Sequence, residues 1–573
     1  MRAPWPAGTA DQPEYRHRLW LLLLLGALAG FLVLATRGLH KPLVYDEVNF
    51  FFAGQAVAET GRPLANAGFL THNGEPGPQY QWSLWHPPLY VYTLGLFLKL
   101  GGLSEASARW LGIVCGALTG ILVYLLALAV LPRAPARMPL ALLAACLFWV
   151  NPLTVQSARL LDIDGTVLLL LVTLLAFLAV RLVTSGRIRW LWLLMPALGL
   201  ALWAKLTTPL GLVAVLALYR LQQGKLVAAL VEPLAVALGG GTLFLATWWA
   251  VSAWQGMPFE MPFEVLAAEF LDAAAGSRSL AAPEALARVA GHVVLWASPY
   301  LLALFAWACL LRARDYLTGG RAQPVDLVLL YGSGIFLLYL VKLAANFPKY
   351  HITMMPFVAV GAAYLLSRLA GCLDWRDVAL GGVALAAFGW YFFTSVGDRH
   401  LIMPPPPFLD SLVVKPAALL LGLLLAGAVL GRQHLGRQFA LLLAMTALAW
   451  AGGVLDRQFA ARGSTHYFYG LSGQVEMARF FDSLNDSAEQ FYVGAKDVAF
   501  YSRNRNFIDL DVLWHLGLRG ERLEGELLGH RIKYVILLTL DPFEGEVLRR
   551  TIEGYYDPIV TFGLYTLWAH VDE

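Results

Sequence analysis

Trp190-Leu-Trp-Leu-Leu-Met-Pro-Ala-Leu-Gly-Leu-Ala-Leu-Trp-Ala-Lys205-Leu-Thr-Thr-Pro-Leu-Gly-Leu-Val-Ala-Val-Leu-Ala-Leu-Tyr219 is the stretch on which the architecture turns. It is too long for one membrane helix, which needs about 20 residues, and short for two full spans. Lys205 interrupts it. Basic residues flank both ends, Arg187 and Arg189 before and Arg220 and Lys225 after. Short cytoplasmic loops concentrate Lys and Arg, so both ends lie inside and the stretch folds as a hairpin with Lys205-Leu-Thr-Thr-Pro209 at its outward tip. With that choice the loops at Arg133/Arg137, Arg181/Arg187/Arg189, Arg220/Lys225, Arg312/Arg314/Arg321, Arg368/Arg376 and Arg432/Arg437 all fall inside. A single span would send half of them out.

The hairpin's neighbours read as further spans: 19–36, 108–131, 138–152, 165–183, 190–204, 206–221, 228–254, 292–311, 326–345, 352–369, 378–396, 413–431 and 438–455. The expectation is about thirteen transmembrane helices, N-terminus cytoplasmic and C-terminus outside. The first segment has no small-residue cleavage site after it and reads as a retained anchor. Composition agrees, with 58% hydrophobic and 14% charged residues in 573, against about 25% charged in soluble domains. A net charge of +3 without a basic run argues against nucleic acid as a partner. Cys115, Cys146, Cys309 and Cys372 lie in apolar segments or at a cytoplasmic edge, so neither a disulfide framework nor CxxC metal spacing is indicated.

Two domains follow. Residues 1–455 form an all-α polytopic membrane domain, whose first outer loop, about 37–107, carries short juxtamembrane helices. Residues 456–573 form a small extracytoplasmic α/β domain, with strands expected at Gln490–Gly494, Asn506–Leu510 and Arg531–Leu538 and a helix at Glu544–Glu553.

Four constellations carry candidate chemistry on the outer side. Asp46-Glu47 opens a helix that ends at Gly61; the pair either caps the helix or supplies a general base to an acceptor at the membrane edge. Asp162-Ile-Asp164-Gly165 precedes a span. Asp164 suits an N-cap there, and Asp162 and Asp164 with Asp46 would make an oxygen set for Mg²⁺ or Mn²⁺. Arg159 is positioned either to neutralise Asp162 or to meet a phosphate. Lys205 and Lys349-Tyr350 sit at outward edges, where snorkelling competes with phosphate binding. His86, before Pro87-Pro88-Leu89-Tyr90, is either structural or a phosphate or metal contact.

These residues, in this order, resemble the GT-C glycosyltransferases, and most of all the bacterial aminoarabinose transferases and protein O-mannosyltransferases. The resemblance rests on Tyr45-Asp46-Glu47-Val-Asn-Phe-Phe-Phe-Ala-Gly-Gln-Ala56, Thr60-Gly-Arg-Pro63, His86-Pro-Pro-Leu-Tyr90 and Ser107-Ala-Arg-Trp-Leu111. Asp162-Ile-Asp-Gly165, Ala204-Lys-Leu-Thr207 and Lys349-Tyr-His-Ile-Thr-Met-Met-Pro356 complete it. It implies a GT-C fold and transfer of a sugar from a polyprenyl-phosphate carrier to a lipid, glycan or protein acceptor at the outer face of the bacterial cytoplasmic membrane. It further implies Asp46 as base with Glu47 as an orienting neighbour or an acceptor contact, and Lys205, Lys349 and Tyr350 on the donor phosphate. His86 stands where the aminoarabinose transferases often carry Lys. The rival readings are a transporter or flippase of polyprenyl-linked lipids and a non-catalytic envelope-assembly protein.

Overall fold

The Trp190–Tyr219 stretch is two helices. In the computed structural model α8 ends at Leu202 and α9 starts at Thr207, with Lys205 in the turn between them. The structure describes residues 13–44, 46–65, 82–132, 136–274, 298–342, 348–371, 473–484, 491–493, 496–504, 507–509, 532–538 and 552–571. The expected spans 378–396, 413–431 and 438–455 lie outside these residues.

Among the described residues the helices are α1 (Pro13–Thr36), α2 (Asp46–Thr60), α3 (Leu89–Gly101), α4 (Glu105–Val130), α5 (Arg137–Trp149), α6 (Pro152–Ser157), α7 (Val167–Ser185), α8 (Ile188–Leu202), α9 (Thr207–Gln222), α10 (Leu226–Gln255), α11 (Met261–Ala274), α12 (Pro299–Leu317), α13 (Pro324–Lys342) and α14 (Met355–Gly371). A 3₁₀ helix, Pro348–Met354, leads into α14. Among the described residues five apolar segments are long enough to cross a membrane: Arg18–Thr36, Glu105–Val130, Val167–Ser185, Leu226–Gln255 and Lys349–Leu369. On α10, Leu226, Leu230, Leu234 and Leu238 recur at every fourth position and are each more than half exposed. Such a stripe suits contact with lipid rather than water, as expected of an integral membrane protein. The other face of the bundle is a continuous buried core running through α4, α5, α7, α12, α13 and α14.

The segments between the long helices carry regular structure of their own. Asn151 caps α6 by accepting the Leu153 N–H at 2.9 Å, and the segment from Arg159 to Thr166 is buried against α4. Two glycines permit close approaches of this kind. A Cβ on Gly112 would stand 2.4 Å from the Ala158 carbonyl oxygen, and one on Gly95 would lie 3.0 Å from the Gly54 carbonyl oxygen, where α3 crosses α2.

The C-terminal part contains α15 (Gln474–Leu484), α16 (Lys496–Tyr501) and strands β1 (Phe491–Val493), β2 (Phe507–Asp509), β3 (Tyr534–Leu538), β4 (Tyr556–Phe562) and β5 (Tyr565–His570). The sheet order is β2-β1-β3-β5-β4. β1 pairs parallel with β2 and β3, while β3–β5 and β4–β5 are antiparallel. Met477, Ala478 and Phe481 of α15 pack on Phe491, Tyr534 and Leu567 in a core of their own. The three expected strands are present; the β4–β5 hairpin is additional, and most of the expected helix Glu544–Glu553 falls outside the described residues.

Gly112→Ala pushes a methyl group into backbone that cannot retreat, so it lowers stability by about 1–3 kcal/mol. The check is the midpoint of thermal unfolding in detergent.

Candidate active site

Three carboxylates and two lysines from distant parts of the chain meet at one end of the bundle. Asp46 comes from the first turn of α2 and Asp162 and Asp164 from the segment between α6 and α7. Lys205 comes from the turn between α8 and α9, and Lys349 from the 3₁₀ helix. The Lys349 ammonium donates to Asp46 Oδ2 and lies 3.5 Å from Asp162 Oδ1. Lys205 Nζ donates to both oxygens of Asp164, at 2.8 and 2.9 Å. Tyr339 of α13 donates its hydroxyl to Asp164 Oδ1 at 3.1 Å and shares a 2.7 Å hydrogen bond with Thr208. The Tyr350 ring stands between the two ammoniums, its centroid 5.2 Å from each, close enough for cation–π attraction. Tyr339 stacks behind it at 5.8 Å.

The carboxylates differ in access. Asp46 is 34% exposed, whereas Asp162 and Asp164 are 5% and 3%. Burial pushes the Asp162 carboxyl up to about 6, with Lys349 and Lys205 opposing the rise and Asp164 and Asp46 adding to it. Burial alone would push the Lys205 ammonium down; Asp164, seconded by Tyr339 and Tyr350, holds it above the ordinary lysine value. Asp162 Oδ2 also accepts the Asp164 N–H at 3.2 Å, which folds the acidic turn on itself.

Asp164 is not an N-cap. Thr166 occupies the cap position of α7 with no side-chain cap bond, and Asp164 is engaged by Lys205 and Tyr339 instead. Glu47 takes partners different from those of its neighbour. Fully buried, it accepts the Val44 N–H at 3.2 Å and the Leu161 N–H at 3.1 Å and pairs with Arg109 at 3.4 Å. Arg109 in turn donates to the carbonyls of Arg159 (2.9 Å), Leu39 (2.8 Å) and Lys41. Arg159 donates to the Arg37 carbonyl at 2.5 Å and to the Val155 carbonyl at 3.3 Å. These contacts hold the loops together around the site. His86 is half-buried just ahead of α3. Arg109, Tyr339 and Thr208 went unassigned from the sequence; only the lone arginine opening α4 gave a signal.

As a cation site the set fits poorly. Each of Asp46, Asp162 and Asp164 already has a lysine ammonium beside it, and among the described residues no three His, Cys, Asp or Glu side chains gather around one point. A groove of about 580 Å³, lined by Leu89, Tyr92, Pro196, Gly199, Trp203 and Trp254, runs between α3, α8 and α10. It reaches Trp203, two residues before Lys205.

Lys205→Met leaves Asp164 buried without its counter-ion and costs about 3–5 kcal/mol of stability; adding Asp164→Leu restores most of it, as detergent melts will show. The folded Asp162 value of about 6 lies above that of an unfolded aspartate, about 3.9. The fold therefore favours its neutral form, and this group's stabilising contribution is complete below the unfolded value and lost as pH rises through about 6. Unfolding temperature against pH is accordingly flatter in Asp162→Asn than in the parent.

Residues 85–254 match the family profile described as dolichyl-phosphate-mannose-protein mannosyltransferase. The fold is similar to that of ArnT from Cupriavidus metallidurans bound to undecaprenyl phosphate, with TM-score 0.57, 15% identity and coverage of 96% of this chain and 98% of that one. The archaeal oligosaccharyltransferase AglB from Archaeoglobus fulgidus, in complex with an inhibitory peptide and a dolichol-phosphate, gives TM-score 0.50, 12% identity and coverage of 97% and 74%. For arabinosyltransferase EmbB from Mycobacterium smegmatis the values are 0.51, 13%, 81% and 43%. No curated protein matches in sequence. The family match over residues 85–254 and the fold shared over nearly the whole chain make the protein similar to the GT-C glycosyltransferases.

Proposed function

We propose that the protein transfers a sugar from a polyprenyl-phosphate carrier to an acceptor at the outer face of the bacterial cytoplasmic membrane, by a single inverting displacement with Asp46 as base. The observation that carries this reading is the difference in access: of the three clustered carboxylates, Asp46 alone is open to an incoming acceptor. The acceptor hydroxyl or amine attacks the anomeric carbon while the bond from that carbon to the phosphate oxygen breaks. Its proton passes to Asp46. The departing polyprenyl phosphate gains negative charge, which suits Lys349, Lys205 and the Tyr350 hydroxyl.

Lys349 has a second part in this scheme. Its ammonium occupies Asp46 Oδ2, and an oxygen engaged in that way is not free to take the acceptor's proton. An arriving phosphate competes for the same ammonium, so donor binding frees the base that the reaction needs. The prenyl chain is assigned to the apolar groove that ends at Trp203, and the acceptor to the water side of α2.

Purified protein given undecaprenyl phosphate carrying labelled mannose or arabinose tests the reading in detergent, where no transport is possible. Mass spectrometry of envelope lipids and glycans from cells with and without the protein identifies the sugar and acceptor. Asp46→Asn is expected to lower transfer by about 10²–10⁴-fold, the usual worth of general-base catalysis, while retaining undecaprenyl phosphate binding. Full transfer by this variant would remove Asp46 from the role.

A further inference from the structure

We propose that the C-terminal sheet domain sets the position of Asp46, with Tyr501 as the positioning residue; this rests on the reading of Asp46 as base. The chain approaches α2 through residues 38–44, which lie outside regular helix and strand. Arg109 gathers the carbonyls of Leu39, Lys41 and Pro42 from the membrane side. From the opposite side Tyr501 Oη accepts the Leu43 N–H at 2.6 Å and donates its own hydrogen to Glu105 Oε1 at 3.1 Å. One hydroxyl therefore ties the lead-in of α2, three residues before Asp46, to the first turn of α4.

Phe500 makes the contact two-sided. Its ring meets Phe51 and Phe52 of α2 edge-on, at 5.2 and 5.4 Å. Both aromatic residues belong to α16, and α16 is fixed to the sheet: Tyr565 of β5 donates to the buried Asp497 carboxylate, and Val498 and Ala499 lie in the sheet domain's core. An unbroken path of buried and half-buried contacts thus runs from β5 through α16 to Leu43 and the start of α2. A side chain held this way keeps its orientation without touching substrate, and displacement of a reacting group by about 1 Å is enough to cost up to 10²-fold in rate.

The test uses the full-length protein in detergent with undecaprenyl phosphate carrying mannose or arabinose as donor. Tyr501→Phe keeps the ring and loses the hydroxyl. Expected are faster hydrogen exchange across residues 42–48, kcat lower by about tenfold, and a donor KM within about twofold of the parent. In an Asp46→Asn background Tyr501→Phe should change the residual rate no further, because it acts through Asp46. Unchanged kcat in folded Tyr501→Phe overturns the proposal, as does an equal loss in the Asp46→Asn background. Full activity of Asp46→Asn alone strikes instead at the assignment of the base. Should Tyr501→Phe fail to fold, Glu105→Gln weakens the same bridge without altering the sheet domain: a lowered kcat supports the proposal and an unchanged one overturns it.

Discussion

Two buried ammonium groups held among three carboxylates, of which Asp46 alone opens to solvent, are what the surrounding loops and helix ends serve. At an effective dielectric of 20 a contact pair at 4 Å is worth about 4 kcal/mol, while each ion left alone there would cost several. Neither lysine lies within a long regular helix. Lys205 occupies the turn between α8 and α9, and Lys349 a 3₁₀ segment ahead of α14. Interrupted helices let long cationic side chains reach the same point from opposite sides of the bundle. Tyr339 and Tyr350 fill the space around them with polarisable ring faces and hydroxyls, so that the pairs stay separated and oriented.

Adjacent residues can serve opposite ends. Asp46 reaches solvent and Lys349, whereas Glu47 is fully buried and joins three segments through Arg109 and two backbone amides. That division follows from helix geometry, since consecutive side chains point about 100° apart. The scaffold pair and the solvent-facing acid are therefore inseparable: any shift of α2 that serves one disturbs the other.

Much of this was legible in the chain. The basic flanks of the Trp190–Tyr219 stretch forced a hairpin, and the hairpin put Lys205 on the side of Asp46, Asp162 and Lys349. The capping expected of Asp46-Glu47 takes another form, because Glu47 accepts the N–H of Val44, ahead of the helix, and pairs with Arg109. Less legible was what depends on three-dimensional choice. Asp164 had a plausible local cap to make, and a lysine 41 residues away outcompeted it. Tyr339 sits in an apolar helix, where an aromatic residue reads as filler until Asp164 arrives from 175 residues away. The β4–β5 hairpin gave little signal because β4 is an edge strand that carries Pro558 and faces solvent along half its length.

The two helices that carry Lys205 have a further consequence for the surrounding bilayer. α8 has 15 residues and α9 has 16, which at 1.5 Å each is about 23 Å, well short of a hydrocarbon core of about 30 Å. α8 nevertheless exposes Trp192, Leu193 and Leu200. Lipid packed against that short apolar wall meets a hydrophobic mismatch, which local thinning of the bilayer relieves at modest cost. Such thinning would bring the headgroup plane nearer the turn at Lys205. A substrate anchored in the membrane would then reach the charged cluster by lateral diffusion, with no need to lift its polar head out of the interface.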